Sequence, residues 1–288
     1  MKILIIGSKG FLGSHLFNYV KKRNGDVQGF SSSDGNAIDP HTGNLSDTFS
    51  IPEGTDAVIY LAQSPYYNRA TEMFPHLMSV NVVSAVKVAE LSRRAKVRRF
   101  IYASTGNVYA PSFAPLSETA PLRRDNCYAL SKVHAEEALS LYRNDMDITM
   151  IRPFGIYGHG QTNKLVPNLL KSLREAKTIS IDRNPQNTAD LDGLKISLCF
   201  IDDAVEMIFK LLGRSGHSCL NIAGDKAVSI RQIATLMAGY LGREAKITVL
   251  GSHRQFDLIA DISLLLDTLN PAFTSLEAGI KKVVEYTG

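Results

Sequence analysis

The stretch KILIIGSKGFLG, residues 2–13, decides the fold. Lys2 precedes four consecutive aliphatic residues, a pattern typical of a short strand buried on both faces of a parallel sheet. Gly7, Gly10 and Gly13 follow at once, and an apolar-periodic segment comes directly after them. Glycine at such a junction permits a sharp turn, close approach of the backbone to a pyrophosphate, and tight packing of helix on strand. The stretch therefore predicts a dinucleotide-binding β-α unit.

The alternation of strands and helices continues along the chain. It predicts strands at 26–30, 56–62, 98–105 and 148–154, and helices at 14–25, 80–95, 164–176, 201–213, 229–242 and 276–286. The polar stretch 179–193 is interpreted as a surface loop. We predict an α/β fold, a Rossmann-type doubly wound parallel sheet with a smaller mixed α/β C-terminal lobe. Residues 1–153 form the dinucleotide-binding core, and residues 154–288 form the substrate lobe, segments of which return to the core.

Composition excludes several classes of protein. The 288 residues are 44% hydrophobic and 21% charged, which is typical of a globular chain. Lys and Arg number 32 against 28 Asp and Glu, and this small excess favours neither nucleic acid nor a membrane surface as a partner. The three cysteines have no metal-ligand spacing and no apolar run is long enough to span a bilayer, so we expect a cytoplasmic protein without a metal.

The end of the second predicted strand bears on the choice of dinucleotide. An acidic side chain about 20 residues past the glycine turn usually bonds the adenosine ribose of NAD. Ser31 stands there, and Asp34 is the first acid that follows. A small hydroxyl leaves room for a 2′-phosphate, to which Lys9 would supply a charge. We therefore favour NADP over NAD. In the alternative, Lys9 is solvated and Asp34 reaches the ribose.

A second group of residues provides proton-transfer chemistry. Tyr128 and Lys132 are four residues apart, on one face of a predicted helix. Thr105 ends the strand at 98–105, at the sheet edge where ligands of this fold bind. A free phenol is a poor base at neutral pH, but a nearby cation favours the phenolate. Tyr128 would exchange a proton with a sugar oxygen that Thr105 orients.

With these residues the chain resembles the extended short-chain dehydrogenase/reductases of the NAD-dependent epimerase/dehydratase family. GSKGFLG resembles the family's GxxGxxG turn, and Tyr128 with Lys132 resembles its YxxxK motif. The stretches DAVIYLA (56–62), FIYASTGNVY (100–109) and IRPFGIYG (151–158) resemble three further family motifs. Asn81 stands where the family keeps a helix asparagine.

The resemblance implies roles for particular residues. The implied catalytic residues are Thr105, Tyr128 and Lys132. The implied cofactor-binding residues are Gly7, Lys9, Gly10, Phe11, Leu12, Gly13, Ser31, Asn44, Leu45, Ala62, Tyr128, Lys132 and Pro153. The implied substrate-binding residues are Gln63, Asn107 and Arg254, with the arginine on the substrate's diphosphate. The family also implies a homodimer that pairs helices near 80–95 and 128–143.

The implied activity is hydride transfer at C4 of a nucleotide-activated sugar. Gly106 and Asn107 follow Thr105 where sugar 4,6-dehydratases have Asp-Glu, so dehydration is disfavoured. A 4-keto reductase and a 4-epimerase both fit the remaining residues. Two alternatives are a reductase or dehydrogenase of a small carbonyl compound or free sugar acid, and a non-catalytic dinucleotide-binding sensor.

Overall fold

Six strands form the central sheet of the protein. The computed structural model describes residues 1–34 and 37–286. In chain order, the strands of the described residues, inside and outside this sheet, are β1 (Lys2–Ile6), β2 (Asp26–Phe30), β3 (Ala57–Tyr60), β4 (Arg99–Ala103), β5 (Asp147–Pro153), β6 (Ile156–Tyr157), β7 (Ile179–Arg183), β8 (Lys195–Ser197), β9 (Cys199–Phe200), β10 (Cys219–Ile222), β11 (Ala227–Ser229) and β12 (Ile247–His253). The central six-stranded sheet has the order β10-β5-β4-β3-β1-β2. The pairings from β2 to β5 are parallel, which confirms the Rossmann-like α/β fold.

Helices follow most of these strands. They are α1 (Phe11–Lys22), α2 (Phe74–Met78), α3 (Ala85–Arg94), α4 (Cys127–Ser140), α5 (Leu165–Arg174), α6 (Ile201–Leu211), α7 (Ile230–Tyr240), α8 (Ser263–Leu269) and α9 (Leu276–Tyr286). Within residues 1–34 and 37–286, no helix is both long and apolar enough to cross a bilayer.

The chain divides into two compact units. The first comprises residues 1–110, 120–153 and 205–220. The second comprises residues 111–119 and 154–204 and the chain from 221 onward. The first unit contains β1 to β5, whose aliphatic residues are almost completely buried because helices cover the sheet. All of the glycine turn and the Tyr128 segment therefore lie in one unit.

One predicted helix contains a π-helical turn that its sequence did not indicate. Residues Ser79–Ser84 form this turn between α2 and α3. Two buried phenols bond to its carbonyl oxygens: Tyr60 donates to Val80 at 2.6 Å and Tyr102 donates to Asn81 at 2.9 Å. Tyr60 and Tyr102 face each other across β3 and β4 with stacked rings. Mid-helix π-turns are frequently functional, and this one carries Asn81.

The interpretation of residues 179–193 as a surface loop was wrong in part. Ile179–Arg183 is strand β7, which pairs in parallel with β12. Ile179 and Ile181 are buried, while Ser180 between them is exposed. This alternation is the pattern of a strand with one covered face. The polar residues after 183 concealed a strand that extends over only five residues.

Candidate active site

The glycine turn has the backbone geometry that its sequence predicts. Gly7 has a φ of +92°, a left-handed conformation that strains other residues. A Cβ at Gly7 would lie 2.6 Å from the backbone nitrogen of Ala62, and a Cβ at Gly13 would collide with the carbonyl oxygen of Gly7. The turn thus brings α1 directly against the end of β1. The tight approach leaves no room for a side chain at either glycine.

Helix α1 begins immediately after this turn. Gly10 is its N-cap residue and accepts a hydrogen bond from the amide of Ser14 at 2.8 Å. The amides of Phe11, Leu12 and Gly13 belong to the first turn, whose N–H groups have no partner within the helix. Such amides, with the positive end of the helix dipole, bind pyrophosphate. The residues present therefore fit a dinucleotide.

Lys9 and two serines come together at the end of β2. The Lys9 ammonium donates to the hydroxyl of Ser33 at 3.1 Å, and the hydroxyls of Ser31 and Ser33 are 2.9 Å apart. Ser31 is buried, whereas Lys9 and Ser33 are exposed. The side chain of Asp34 lies outside the described residues. An ammonium beside two hydroxyls is a donor set suited to a phosphate.

Four further residues were assigned to the cofactor. Leu45 is buried and bridges to Ile38, while Asn44 is exposed. Ala62, two residues past β3, packs against Gly7. Pro153 is the last residue of β5 and is partly buried. Except for Asn44 and Leu45, these residues lie near the carboxyl ends of strands, where Rossmann sheets bind ligands.

Thr105 lies two residues past the end of β4. Its Oγ1 accepts hydrogen bonds from the backbone nitrogen of Asn107 at 3.2 Å and from the Asn107 side chain at 3.3 Å. Thr105 is buried and Asn107 is exposed. Because Asn107 supplies both donors, the Thr105 hydroxyl hydrogen is available to a further acceptor.

Tyr128 lies in the first turn of α4, which Asn126 caps by accepting from the amide of Ala129. Its hydroxyl donates to Oε1 of Gln63 at 2.9 Å. Burial raises the pKa of Tyr128 to about 12, a hydrogen bond with Thr105 lowers it, and nearby Tyr67 raises it. The sequence led us to expect that a cation would favour the phenolate. In the structure burial has the larger effect, and it favours the neutral phenol.

Lys132 is one helical turn farther along α4 and is almost fully buried. Its ammonium donates to the carbonyl oxygen of Ala103 at 2.8 Å and lies 4.8 Å from the centre of the Tyr102 ring. Burial lowers the pKa of Lys132 to about 7, while the carboxylate of Glu136 acts in the opposite direction. Lys132 is therefore held at the end of β4, beside the strand that leads to Thr105.

A buried ion pair supports this helix, and sequence reasoning missed it. Arg152 on β5 makes two hydrogen bonds to the Glu136 carboxylate and a third, at 2.9 Å, to the hydroxyl of Tyr109. The arginine and glutamate side chains are 6% and 9% exposed, so both charges are largely desolvated. The spacing of Lys132 and Glu136, four residues on one helix, indicates that these two are neighbours, but it does not indicate Arg152 as a partner.

Asn81 connects the π-turn to α4. Its side-chain amide donates to the hydroxyl of Ser131 at 2.9 Å and accepts from the backbone nitrogen of Ser64 at 3.3 Å. Ser131 in turn donates to the backbone oxygen of Tyr128 at 2.8 Å. All three side chains are completely buried. This chain of bonds fixes the start of α4 relative to the segment that follows β3.

Arg254 lies in the second unit, within a buried charge cluster. It bonds to Asp257 at 2.8 Å and to Asp190 at 2.7 Å, and it lies 5.7 Å from the ring centre of Phe113. Lys195 also pairs with Asp190, at 2.9 Å. The buried Nη1 of Arg254 has no hydrogen-bond partner within residues 1–34 and 37–286. A buried donor without a partner is a candidate contact for a ligand oxygen.

Comparison with known proteins provides an independent view. A model of the NAD-dependent epimerase/dehydratase family matches residues 3–223. A UDP-glucose 4-epimerase of Mycolicibacterium smegmatis is 29% identical over 268 residues, covering 84% of this chain and 83% of the relative. A GDP-6-deoxy-D-talose 4-dehydrogenase of Aggregatibacter actinomycetemcomitans is 24% identical over 295 residues, covering 98% and 97%.

A solved structure of an NAD-dependent NDP-hexosamine 5,6-dehydratase has the same fold. Its TM-score to this chain is 0.81 at 20% sequence identity, and the match covers 100% of this chain and 97% of that one. The three proteins are named for three different reactions, so similarity alone does not select one. The family match nevertheless spans more than two thirds of the chain and includes the glycine turn, Thr105, Tyr128 and Lys132. The chain therefore belongs to the NAD-dependent epimerase/dehydratase family.

Proposed function

We propose that this protein is an oxidoreductase that transfers hydride at C4 of a nucleotide-activated sugar, as a 4-keto reductase or a 4-epimerase. One observation carries the proposal: Thr105, Tyr128 and Lys132 converge at the end of β4, where Thr105 is near enough to Tyr128 to lower its pKa and Lys132 donates to the carbonyl of Ala103. A phenol that can exchange a proton and a hydroxyl that can orient the same substrate oxygen make this an acid–base site.

The residues divide the chemistry among themselves. Tyr128 gives its proton to a ketone oxygen during reduction or takes one from a hydroxyl during oxidation. Thr105 hydrogen-bonds the same oxygen and orients it. A bound nicotinamide dinucleotide supplies or accepts the hydride. When Lys132 is protonated, its charge favours the phenolate of Tyr128.

The cofactor is proposed to be NADP(H). Support comes from the Lys9 ammonium, which lies beside the hydroxyls of Ser31 and Ser33 at the end of β2. The amides of residues 11–13 would hold the pyrophosphate, and Asn44, Leu45, Ala62 and Pro153 would contact the remainder of the dinucleotide. NAD is the alternative, consistent with the description of the family.

The substrate is assigned to the second lobe, residues 154–288, together with Asn107. The unpartnered Nη1 of Arg254 supports a contact with the substrate's diphosphate. Dehydration is disfavoured because Gly106 and Asn107 carry no group that transfers a proton. We further propose a cytoplasmic homodimer that pairs the helices near 80–95 and 128–143, where Val83 and Leu141 are 44% and 80% exposed.

The cofactor and the reaction class are tested together. The purified protein is denatured and any released nucleotide is identified by mass and ultraviolet spectrum. Refolded or nucleotide-free protein is then incubated with UDP- and dTDP-linked hexoses and 4-keto-6-deoxyhexoses in the presence of each reduced and oxidised dinucleotide. Conversion at C4 supports the proposal, and near-stoichiometric NAD(H) in the protein would favour the epimerase. Dinucleotide binding without turnover of any of these sugars would favour the non-catalytic dinucleotide-binding sensor, and absence of both would contradict the proposal.

A further inference from the structure

The side chain of Gln63 accepts a hydrogen bond from the hydroxyl of Tyr128. The phenol donates to Gln63 Oε1 at 2.9 Å, although 65 residues separate the two in sequence. Gln63 lies three residues past the end of β3, and Tyr128 lies in the first turn of α4. Both residues belong to the first unit. Gln63 is exposed, so a ligand can replace it without unfolding its surroundings.

The chemistry of this contact resembles that of a ketone substrate. A side-chain amide oxygen is a planar carbonyl oxygen that accepts hydrogen bonds and does not donate them. A ketone oxygen awaiting protonation has the same requirement, because it must accept the single hydrogen of the phenol. An alcohol awaiting oxidation has the opposite requirement, because its hydroxyl proton needs a basic acceptor. The Gln63 carbonyl therefore makes the bond that a ketone substrate would make.

We propose that Gln63 is a positioning residue whose carbonyl holds Tyr128 as a proton donor until the ketone oxygen of the substrate replaces it. The inference rests on the proposed function and deepens it: it selects a keto sugar, and hence the 4-keto reductase, from the two versions. The amide is not protonated at neutral pH, so it holds the phenol proton in place without removing it.

Reduction of the ketone adds one hydride and one proton, and each has a defined source. The ketone carbon accepts a hydride from a reduced nicotinamide dinucleotide, and its oxygen takes the proton of the Tyr128 O–H bond. The products are a secondary alcohol, an oxidised dinucleotide and a tyrosine phenolate, which takes up a proton from solvent. After reprotonation the phenol again donates to Gln63, which completes the cycle.

The groups around Tyr128 define what a titration would report. Tyr67 lies 6.1 Å away between ring centres, and the side chain of Thr105 lowers the pKa of the phenol. Lys132 is one turn along α4 but points at the carbonyl of Ala103, above the ring of Tyr102. A hydrogen bond that accepts from the neutral phenol disfavours its ionised form, in the same direction as burial. Changes at Gln63 should therefore alter the pKa of Tyr128 directly.

The test uses full-length, cofactor-free protein with 3-fluorotyrosine installed at position 128 alone. Fluorine lowers the phenol pKa, and the ¹⁹F chemical shift follows ionisation of this one residue. Gln63→Glu should raise the pKa by about one unit because a carboxylate repels the phenolate. Gln63→Ala should lower it by a similar amount, because water at this exposed position can donate to the phenolate. Asn68→Asp and Asn68→Ala are matched controls at an exposed neighbouring position and should leave the pKa unchanged.

Opposite shifts in the two Gln63 variants support the proposal, and equal or same-direction shifts overturn it. A second measurement uses UDP-4-keto-6-deoxyglucose with NADPH. Gln63→Ala should lower KM about 2- to 10-fold, the effect expected for removing one competing hydrogen bond. A higher KM would show that Gln63 binds substrate instead and would overturn the proposal. If no turnover occurs with any nucleotide sugar, the proposed function fails, while the ¹⁹F titration still decides the role of Gln63.

Discussion

Arg152 and Glu136 form a buried ion pair through two hydrogen bonds, one helical turn beyond Lys132 on α4. The pair links β5 to the helix that carries Tyr128 and Lys132. Removing one partner of such a pair leaves an uncompensated buried charge, which typically lowers the free energy of unfolding by about 3–5 kcal/mol. The pair thus connects the stability of the core with the electrostatics of the active site.

Glu136→Gln should therefore have two effects. It should lower the free energy of unfolding by about 4 kcal/mol, because Arg152 loses its counter-charge. It should also lower the pKa of Lys132, because Glu136 opposes the effect of burial on that ammonium. The control is Glu137→Gln, which removes an exposed carboxylate paired with Arg124. Urea denaturation of both variants checks the first effect, and equal losses in the two variants would contradict it.

The pH dependence of the unfolding free energy should reveal the lowered pKa of Lys132. Burial lowers its pKa from 10.5 to about 7, so between these values the unfolded chain holds a proton that the folded protein does not. Stability then rises with pH across this window and is constant, with respect to Lys132, below it. The slope for one proton is about 1.36 kcal/mol per pH unit. The difference in unfolding free energy between wild type and Lys132→Met should rise from pH 7 to pH 10.5. A flat difference would contradict this assignment.

Glycine substitutions should separate the cofactor turn from ordinary helix positions. Gly13→Ala places a methyl group against the carbonyl oxygen of Gly7, so it should displace α1, destabilise the fold and abolish dinucleotide binding. Gly239→Ala lies inside α7 with open space around its Cβ. It should stabilise the protein by about 0.5–1 kcal/mol and leave binding unchanged. Thermal unfolding and calorimetric titration of both variants test the pair, and normal dinucleotide affinity in Gly13→Ala would contradict the site.

Lys9→Ala should change the preference between dinucleotides. If the Lys9 ammonium binds the 2′-phosphate, its loss should weaken NADPH binding about 10-fold or more and leave NADH binding nearly unchanged. Lys22→Ala, an exposed change in the last turn of α1, is the control. Fluorescence titration of both reduced dinucleotides provides the affinities. Tighter binding of NADH by the wild type would contradict the proposed preference for NADP(H).

Local patterns predicted the core of the fold well. The apolar run before Gly7 and the glycines themselves determine β1 and the start of α1, because both elements depend on residues that are close together in sequence. α1 begins at Phe11 rather than at Ser14 because the glycine turn itself provides the N-cap. The π-turn at Ser79–Ser84 was not predictable, since apolar spacing does not distinguish it from an α-helix. Two phenols on β3 and β4 bond to its carbonyl oxygens, and such long-range partners are not visible in the local sequence.

The candidate site divides in the same way. Tyr128 and Lys132 form a sequence motif, so their proximity follows from helix geometry. The bonds from Tyr128 to Gln63 and from Arg152 to Glu136 join residues that only tertiary structure brings together. Likewise, β7 depends on pairing with β12, which begins 68 residues after it in sequence. Long-range partners are therefore the part that the sequence did not reveal.

The central claim is that Tyr128 supports hydride transfer at C4 of a nucleotide sugar. The most direct test incubates the enzyme with NADPH deuterated at the transferable position and UDP-4-keto-6-deoxyglucose, and then locates deuterium in the product by mass spectrometry and NMR. The account predicts deuterium at C4 with the wild type and a rate at least about 100-fold lower with Tyr128→Phe. Deuterium at another carbon, no incorporation, or an equally active Tyr128→Phe variant would contradict it.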